Sequence, residues 1–135
     1  MVGPVSLRWD FMKSLLAMHA LIIREPWISL ILAGEKVWEI RSRATRIRGR
    51  IGLIASGSGQ VVGTIDLTDC LALQPSDLIR TTPLHCITDL SQPPLPYPHP
   101  YAWVLANPQR FLVPQPYWHR QGAVVWVKLP DDFVA

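Results

Sequence analysis

At 135 residues, 49% of them hydrophobic and 17% charged, the chain has the length of one domain and far too much apolar content for intrinsic disorder. It shows no heptad and no repeated unit of about 20–50 residues, and its longest apolar run, Tyr101 to Ala106, is well short of the roughly 18 residues that cross a bilayer. The net charge is only +3, and thirteen prolines favour short strands and turns over a bundle of long helices.

Residues 1–17 differ in character from the rest of the chain. Trp9, Phe11, Met12, Leu15 and Leu16 fit one face of a short helix that Gly3 and Pro4 prevent from starting earlier. This stretch reads as an N-terminal extension, in part disordered, with Met12 and Met18 as alternative starts; the domain proper is expected over 18–135. Arg8, Asp10 and Lys13 interrupt the apolar core a secretion signal needs, so the cytoplasm is the expected compartment.

From Ala20 the pattern tightens. Ala20–Ile23 is a short apolar run suited to a buried strand. Pro26 stands where a first helical residue should, Trp27–Leu32 is apolar almost all round, and Gly34 offers a left-handed stop, so a buried two-turn helix is expected there. Val37–Arg43 alternates with period two, placing Trp38 and Ile40 on one face and Glu39, Arg41 and Arg43 on the other. Strands Ile51–Ala55 and Val61–Leu67, separated by the Ser56–Gly59 turn, complete an expected meander. Ser76 or Asp77 can cap a short helix over Leu78, Ile79 and Arg80.

Five prolines between Ser91 and Pro100 exclude regular structure and predict an extended surface loop. Tyr101–Ala106 reads as a central strand carrying Trp103, with further strands at Phe111–Val113 and Ala123–Lys128. The fold class is therefore mainly β with short helices (α+β), a small closed or partly closed β-barrel with one buried helix near its start.

The charge is concentrated. Six basic and two acidic residues lie between Gly34 and Arg50, an excess of four against three for the whole chain. Ten arginines against three lysines favour planar, bidentate contact with phosphate or carboxylate. Arg43, Arg46, Arg48 and Arg50 are candidates to track a phosphate backbone; the alternative is a solvated basic face. Cys70 and Cys86 lack zinc-ligand spacing and read as free, mostly buried thiols in a reducing compartment. The four histidines are scattered without metal or triad spacing, and no phosphate-binding or dinucleotide fingerprint occurs, so no metal and no cofactor is expected.

The densest motif is Gly34-x-Lys36-x-x-Glu39-x-Arg41, preceded by Arg24-Glu25-Pro26-Trp27 and continued by Ser42, Arg48-Gly49-Arg50-Ile51, Val62-Gly63 and Tyr101-Ala102-Trp103-Val104-Leu105. Over roughly Met18 to Leu129 this pattern resembles the ASCH domain, a relative of the PUA RNA-binding domain. The resemblance implies a PUA-like barrel with a basic cleft that binds RNA or a nucleotide; some members of the family hydrolyse modified nucleosides or cut RNA. Members that deacylate a modified cytidine resemble this chain at Lys36 and Arg41 but carry a threonine where it has Glu39.

The residues support a cleft on their own terms. Lys36 falls at a helix-to-strand junction, where it can converge with Glu39 and Arg41; if that face looks inward, the three charges must pair with one another or with a ligand. Trp27 is a candidate for base stacking or for the core, and Ser56 for a ligand hydrogen bond or a plain turn. These residues fit three functions. The first is an RNA- or nucleotide-binding module using Trp27, Arg41, the arginine segment and Ser56. The second is a metal-independent hydrolase with Lys36 as base or nucleophile and Glu39 as its proton partner. The third is an interaction domain for an acidic protein.

Overall fold

The computed structural model describes residues 18–90, 97–130 and 133. Its strands are β1 (His19–Ile23), β2 (Trp38–Arg41), β3 (Gly49–Ala55), β4 (Gln60–Ala72), β5 (Tyr101–Pro116) and β6 (Trp126–Lys128). Among the described residues the helices are α1 (Trp27–Leu32), α2 (Asp77–Arg80) and α3 (Thr82–His85). All six strands form one sheet in the order β2-β5-β4-β3-β1-β6. The β1–β3 pair is parallel, with Ile22 opposite Ile54, and the other pairs are antiparallel.

This sheet curls strongly. Three strands separate β2 from β1 in the sheet order, yet Arg41 on β2 donates from Nη2 to the carbonyl of Ile22 on β1 at 3.2 Å. Bulges drive much of the bend. The β4–β5 ladder shifts register near Val62, Ile65 and Thr68, and Asn107 adopts a positive φ of 54° opposite that stretch. Each bulge leaves a residue unpaired and increases the local right-handed twist. The result is the mainly β, partly closed barrel with short helices that the sequence predicts.

Two pairings differ from expectation. β2 does not neighbour β3; it pairs with β5, Trp38 opposite Val104 and Arg41 opposite Tyr101, so the strands expected at Val37–Arg43, Ile51–Ala55 and Val61–Leu67 do not form one meander. A chain leaving α1 must cross the barrel before β3 returns beside β1, and periodicity carries no information on that crossing. Phe111–Val113 is not a separate strand but the continuation of β5. Among the described residues β2 pairs only with Tyr101–Val104, so the far half of β5 is paired there along one edge, and Pro108 and Pro114 need no ladder donor on the other. The last strand is also shorter than expected, Trp126–Lys128 rather than Ala123–Lys128.

The principal core joins Leu21 and Ile23 of β1, Ile28 and Ile31 of α1, Leu53 of β3, Leu67 of β4, and Trp103 and Leu105 of β5. Six residues suffice for α1 because Ile28, Ile31 and Leu32 all face this cluster; burying each such side chain is worth roughly 1.5–3 kcal/mol. Pro26 occupies the cap position before α1 rather than its first turn. Gly34 has φ +79° and its amide closes the helix on the Ile31 carbonyl at 3.0 Å. Ser76 precedes α2 without capping it through its side chain, and Asp77 is itself the first helical residue, turning its carboxylate back to the Gln74 amide at 2.8 Å. Cys70 and Cys86 are free and half-buried, more accessible than expected. Residues 1–17 and residues 91–96 of the proline-rich loop lie outside the described residues, and with them the expected extension. No described helix is long and apolar enough to cross a membrane.

Candidate ligand cleft

The end of α1 sets the position of Lys36. The amides of Glu35 and Lys36 both donate to the Leu30 carbonyl, at 3.0 and 3.1 Å, so the chain folds back under the helix before β2 begins. Lys36 is thereby carried inside, 1% exposed. Its Nζ donates to the main-chain carbonyl of His85 at 2.6 Å, pairs with Glu39 Oε1 at 3.5 Å, and stands 5.0 Å from the centre of the Trp27 ring. That last distance permits a cation–π contact, which is strongest where water is excluded.

Glu39 and Arg41 are two apart on β2 and so share a face, as the alternation predicts. Glu39 Oε2 accepts from Arg41 Nε at 3.0 Å and from Nη2 at 2.9 Å, while the guanidinium lies 5.5 Å from the Trp103 ring centre. One buried carboxylate thus stands between two cations, each also bonded to a main-chain carbonyl, His85 for Lys36 and Ile22 for Arg41. Burial pushes the Lys36 ammonium below its ordinary pKa, and the neighbouring Glu39 charge works against that shift.

The cluster forms one wall of an open cavity of about 360 Å³, also lined by Trp27, Arg24, Ile22, Ser56, Tyr97 and Val124. Lys36, Arg41 and Arg24 outnumber Glu39 around it, so the space favours an anion or an electron-rich polar group. Burial pushes the Tyr97 phenol above its ordinary pKa, and the Glu39 charge adds to the effect, which keeps a neutral hydroxyl donor at the cleft. Among the described residues no cluster of three or more His, Cys, Asp or Glu side chains could hold a metal ion.

The candidates from the sequence divide in two. Trp27, Lys36, Glu39, Arg41 and Ser56 line the same cavity. Arg43, Arg46, Arg48 and Arg50 do not. Arg50 donates to the Asn107 carbonyl at 2.8 Å and pairs with Asp66 at 3.4 Å, and Arg48 donates to the carbonyls of Thr45 and Ile47. Arg43 and Arg46 are exposed. Arg50 lies near the start of β3 and Ser56 directly follows its end, a separation of roughly 20 Å at about 3.3 Å per strand residue. The arginine segment thus divides into Arg48 and Arg50, which bond within the domain, and Arg43 and Arg46, which are exposed outside the cavity.

Sequence reasoning missed the His85 carbonyl, Tyr97, Arg24 and Val124. A main-chain acceptor has no signature in sequence, and Tyr97 sits in a proline-rich stretch that reads only as loop. Arg24 was legible as the start of the Arg-Glu-Pro-Trp motif.

Comparison with known proteins identifies the class to which this curled sheet belongs. The family model of the ASCH domain matches residues 21–115. The chain belongs to the ASCH domain family. No curated protein sequence matches it. Among solved structures it is similar to ASCH from Zymomonas mobilis, at 14% identity and TM-score 0.67, over 84% of this chain and 88% of that one. A tyrosine-to-phenylalanine mutant of the same protein aligns at 16% identity and TM-score 0.68, covering 84% of this chain and 91% of that chain. A serine-to-alanine mutant aligns at 16% identity and TM-score 0.65, covering 84% and 89%. At these identities the likeness establishes the fold.

Proposed function

We propose that this domain binds single-stranded RNA or a nucleotide, taking an unpaired base into the Lys36–Glu39–Arg41 cavity. The observation that carries the reading is the excess of cations over carboxylate around a cavity of about 360 Å³ with the Trp27 ring in its wall. That volume lies within the roughly 300–1,000 Å³ range of small-ligand sites. Membership of a family generally thought to bind RNA supports it. Single-stranded RNA is favoured over duplex because a concave site accepts a base only when it is splayed from a helix, and no described helix is long enough to read a groove.

A second reading is favoured by one feature. Lys36 is buried, its pKa is lowered, and a carboxylate stands 3.5 Å away, the arrangement of a lysine that serves as base or nucleophile in a metal-independent hydrolase. One experiment separates the two. Purified protein and Lys36→Arg are titrated with fluorescent single-stranded RNA and incubated with RNA and acylated nucleosides, with and without chelator. A binding module retains much of its affinity in Lys36→Arg and turns nothing over. A lysine hydrolase shows chelator-resistant turnover that Lys36→Arg abolishes, because a guanidinium does not deprotonate. Absence of salt-sensitive RNA or nucleotide binding refutes the first reading, and an acidic protein partner then becomes the better account of the basic surface.

A further inference from the structure

A second cavity of about 470 Å³ opens beside the first and shares Ile22, Ser56 and Val124 with it. Its remaining walls come from the Gly57–Gly59 turn after β3 and from Tyr117, His119 and Ala123 beyond β5. The Tyr117 hydroxyl and His119 Nδ1 are 2.7 Å apart and the two rings meet edge to face with centres 5.7 Å apart, which orients the exposed imidazole. Tyr117 itself packs against the cluster of Ala20, Ile54, Val61 and Val127, giving the pair a fixed base.

The chemistry of the two cavities differs. Arginine and lysine side chains line the first, and neither lines the second, where Ile22, Ala123 and Val124 supply apolar surface and Ser56, Tyr117 and His119 supply polar groups. An apolar slot with aromatic and hydroxyl edges suits the face and rim of a nucleobase better than a phosphate. Glycines at 57 and 59 both have positive φ, and a Cβ at either would meet nothing within 4 Å, so this wall of the cavity is bare backbone bordering open space.

We infer that the second cavity is the subsite for the neighbouring nucleotide of the same strand, so that the ligand of this domain is an oligonucleotide rather than a free nucleoside or mononucleotide. The inference rests on the nucleotide-binding reading of the first cavity. Ser56, common to both cavities, faces the phosphate that links the two nucleotides, and the Tyr117–His119 pair contacts the second base.

The test compares a nucleoside monophosphate with the corresponding dinucleotide by calorimetric titration, in the unaltered protein and in His119→Ala and Tyr117→Phe. The expected result is dinucleotide binding about tenfold or more tighter than mononucleotide binding, the scale of one stacked base. His119→Ala should remove most of that gain and leave mononucleotide affinity unchanged. Tyr117→Phe should remove a smaller part, since the ring stays and only its hydrogen bond to His119 goes. Mononucleotide binding with no gain for the dinucleotide overturns this inference and leaves the proposed function standing. Equal losses for both ligands in His119→Ala also overturn it. Failure of both ligands to bind overturns it together with the reading on which it rests.

Discussion

The Nζ of Lys36 and the carbonyl oxygen of His85 are 2.6 Å apart, although 49 residues separate them in sequence. This bond ties the floor of the cleft to α3, and the His85 ring holds α3 in place. The ring is fully buried; its Nε2 donates to the Leu78 carbonyl at 2.8 Å, and its Nδ1 accepts from the Ile87 amide at 2.9 Å. Only the neutral imidazole satisfies both bonds. Burial lowers its pKa from 6.5, and the nearby Lys36 charge lowers it further against the opposing Leu78 carbonyl. A group whose folded pKa is depressed in this way is neutral in the folded chain while the unfolded chain takes up a proton. Its contribution to stability is therefore complete above pH 6.5 and declines as pH falls below it. Urea unfolding at pH 7 and pH 5 should show a loss on acidification that His85→Gln reduces. An equal loss in both proteins would show that His85 does not titrate on unfolding.

Removing the carboxylate should harm the fold more than removing either cation. Glu39→Gln leaves Lys36 and Arg41 inside the barrel with no anion, and breaking a buried pair costs about 3–5 kcal/mol. The low end applies, because the Arg41 side chain keeps 23% of its exposure. The pH dependence has a definite sign. Burial already lowers the Lys36 pKa, and Glu39 is the largest influence opposing it, so the variant lysine should lose its proton more easily still. Between that lowered pKa and the unfolded value of 10.5 the folded state sheds a proton the unfolded state keeps, so stability rises with pH there. Denaturation midpoints should show the Glu39→Gln deficit shrinking between pH 7 and about pH 9.5; a constant deficit would mean that removing Glu39 does not change the titration of Lys36 in that range.

How much of this site is legible in the sequence differs from residue to residue. The alternation Trp38-Glu39-Ile40-Arg41 puts both charged groups on one face, and the structure joins them there, because strand parity is a local property. Gly34, whose left-handed φ ends α1, places Lys36 at the junction. The pairing of β2 with β5 is not legible, since the same alternation fits any neighbouring strand. Nor is the split in the arginine segment. Arg48 turns onto the neighbouring Thr45 and Ile47 carbonyls, and Arg50 onto Asn107 and Asp66, which only tertiary folding brings near, so charge density alone overstates the basic face.

That split makes a separable prediction. Arg43→Ala with Arg46→Ala should leave the denaturation midpoint within error and flatten the salt dependence of single-stranded RNA binding by about 0.7 for each phosphate no longer neutralised. Arg50→Ala should act on stability, by about 0.5–1 kcal/mol given its partial exposure, because it braces β3 against the bulged part of β5. An unchanged salt slope in the double variant would assign Arg43 and Arg46 to a solvated face.

Gly63 fixes how closely β4, β5 and α1 approach, and so the curl that closes the cleft. A Cβ built there would collide with the Gln109 main-chain carbonyl and the Leu32 side chain, and would press on the Arg110 backbone. Leu32 could turn aside; the Gln109 carbonyl could not, since Thr64 and Gln109 are paired next to it in the ladder. Gly63→Ala should therefore destabilise the fold by about 1–3 kcal/mol, the usual scale of overpacking. Because the strain falls on the β4–β5 bulges rather than on Lys36, Glu39 or Arg41, ligand affinity at temperatures well below the unfolding transition should change less than stability. Thermal unfolding paired with nucleotide titration at low temperature checks this: a stable variant would show that the β4–β5 ladder opens to admit the methyl group. A stable variant with weakened binding would go further, showing that the ladder yields by uncurling the sheet and separating Arg41 from Ile22.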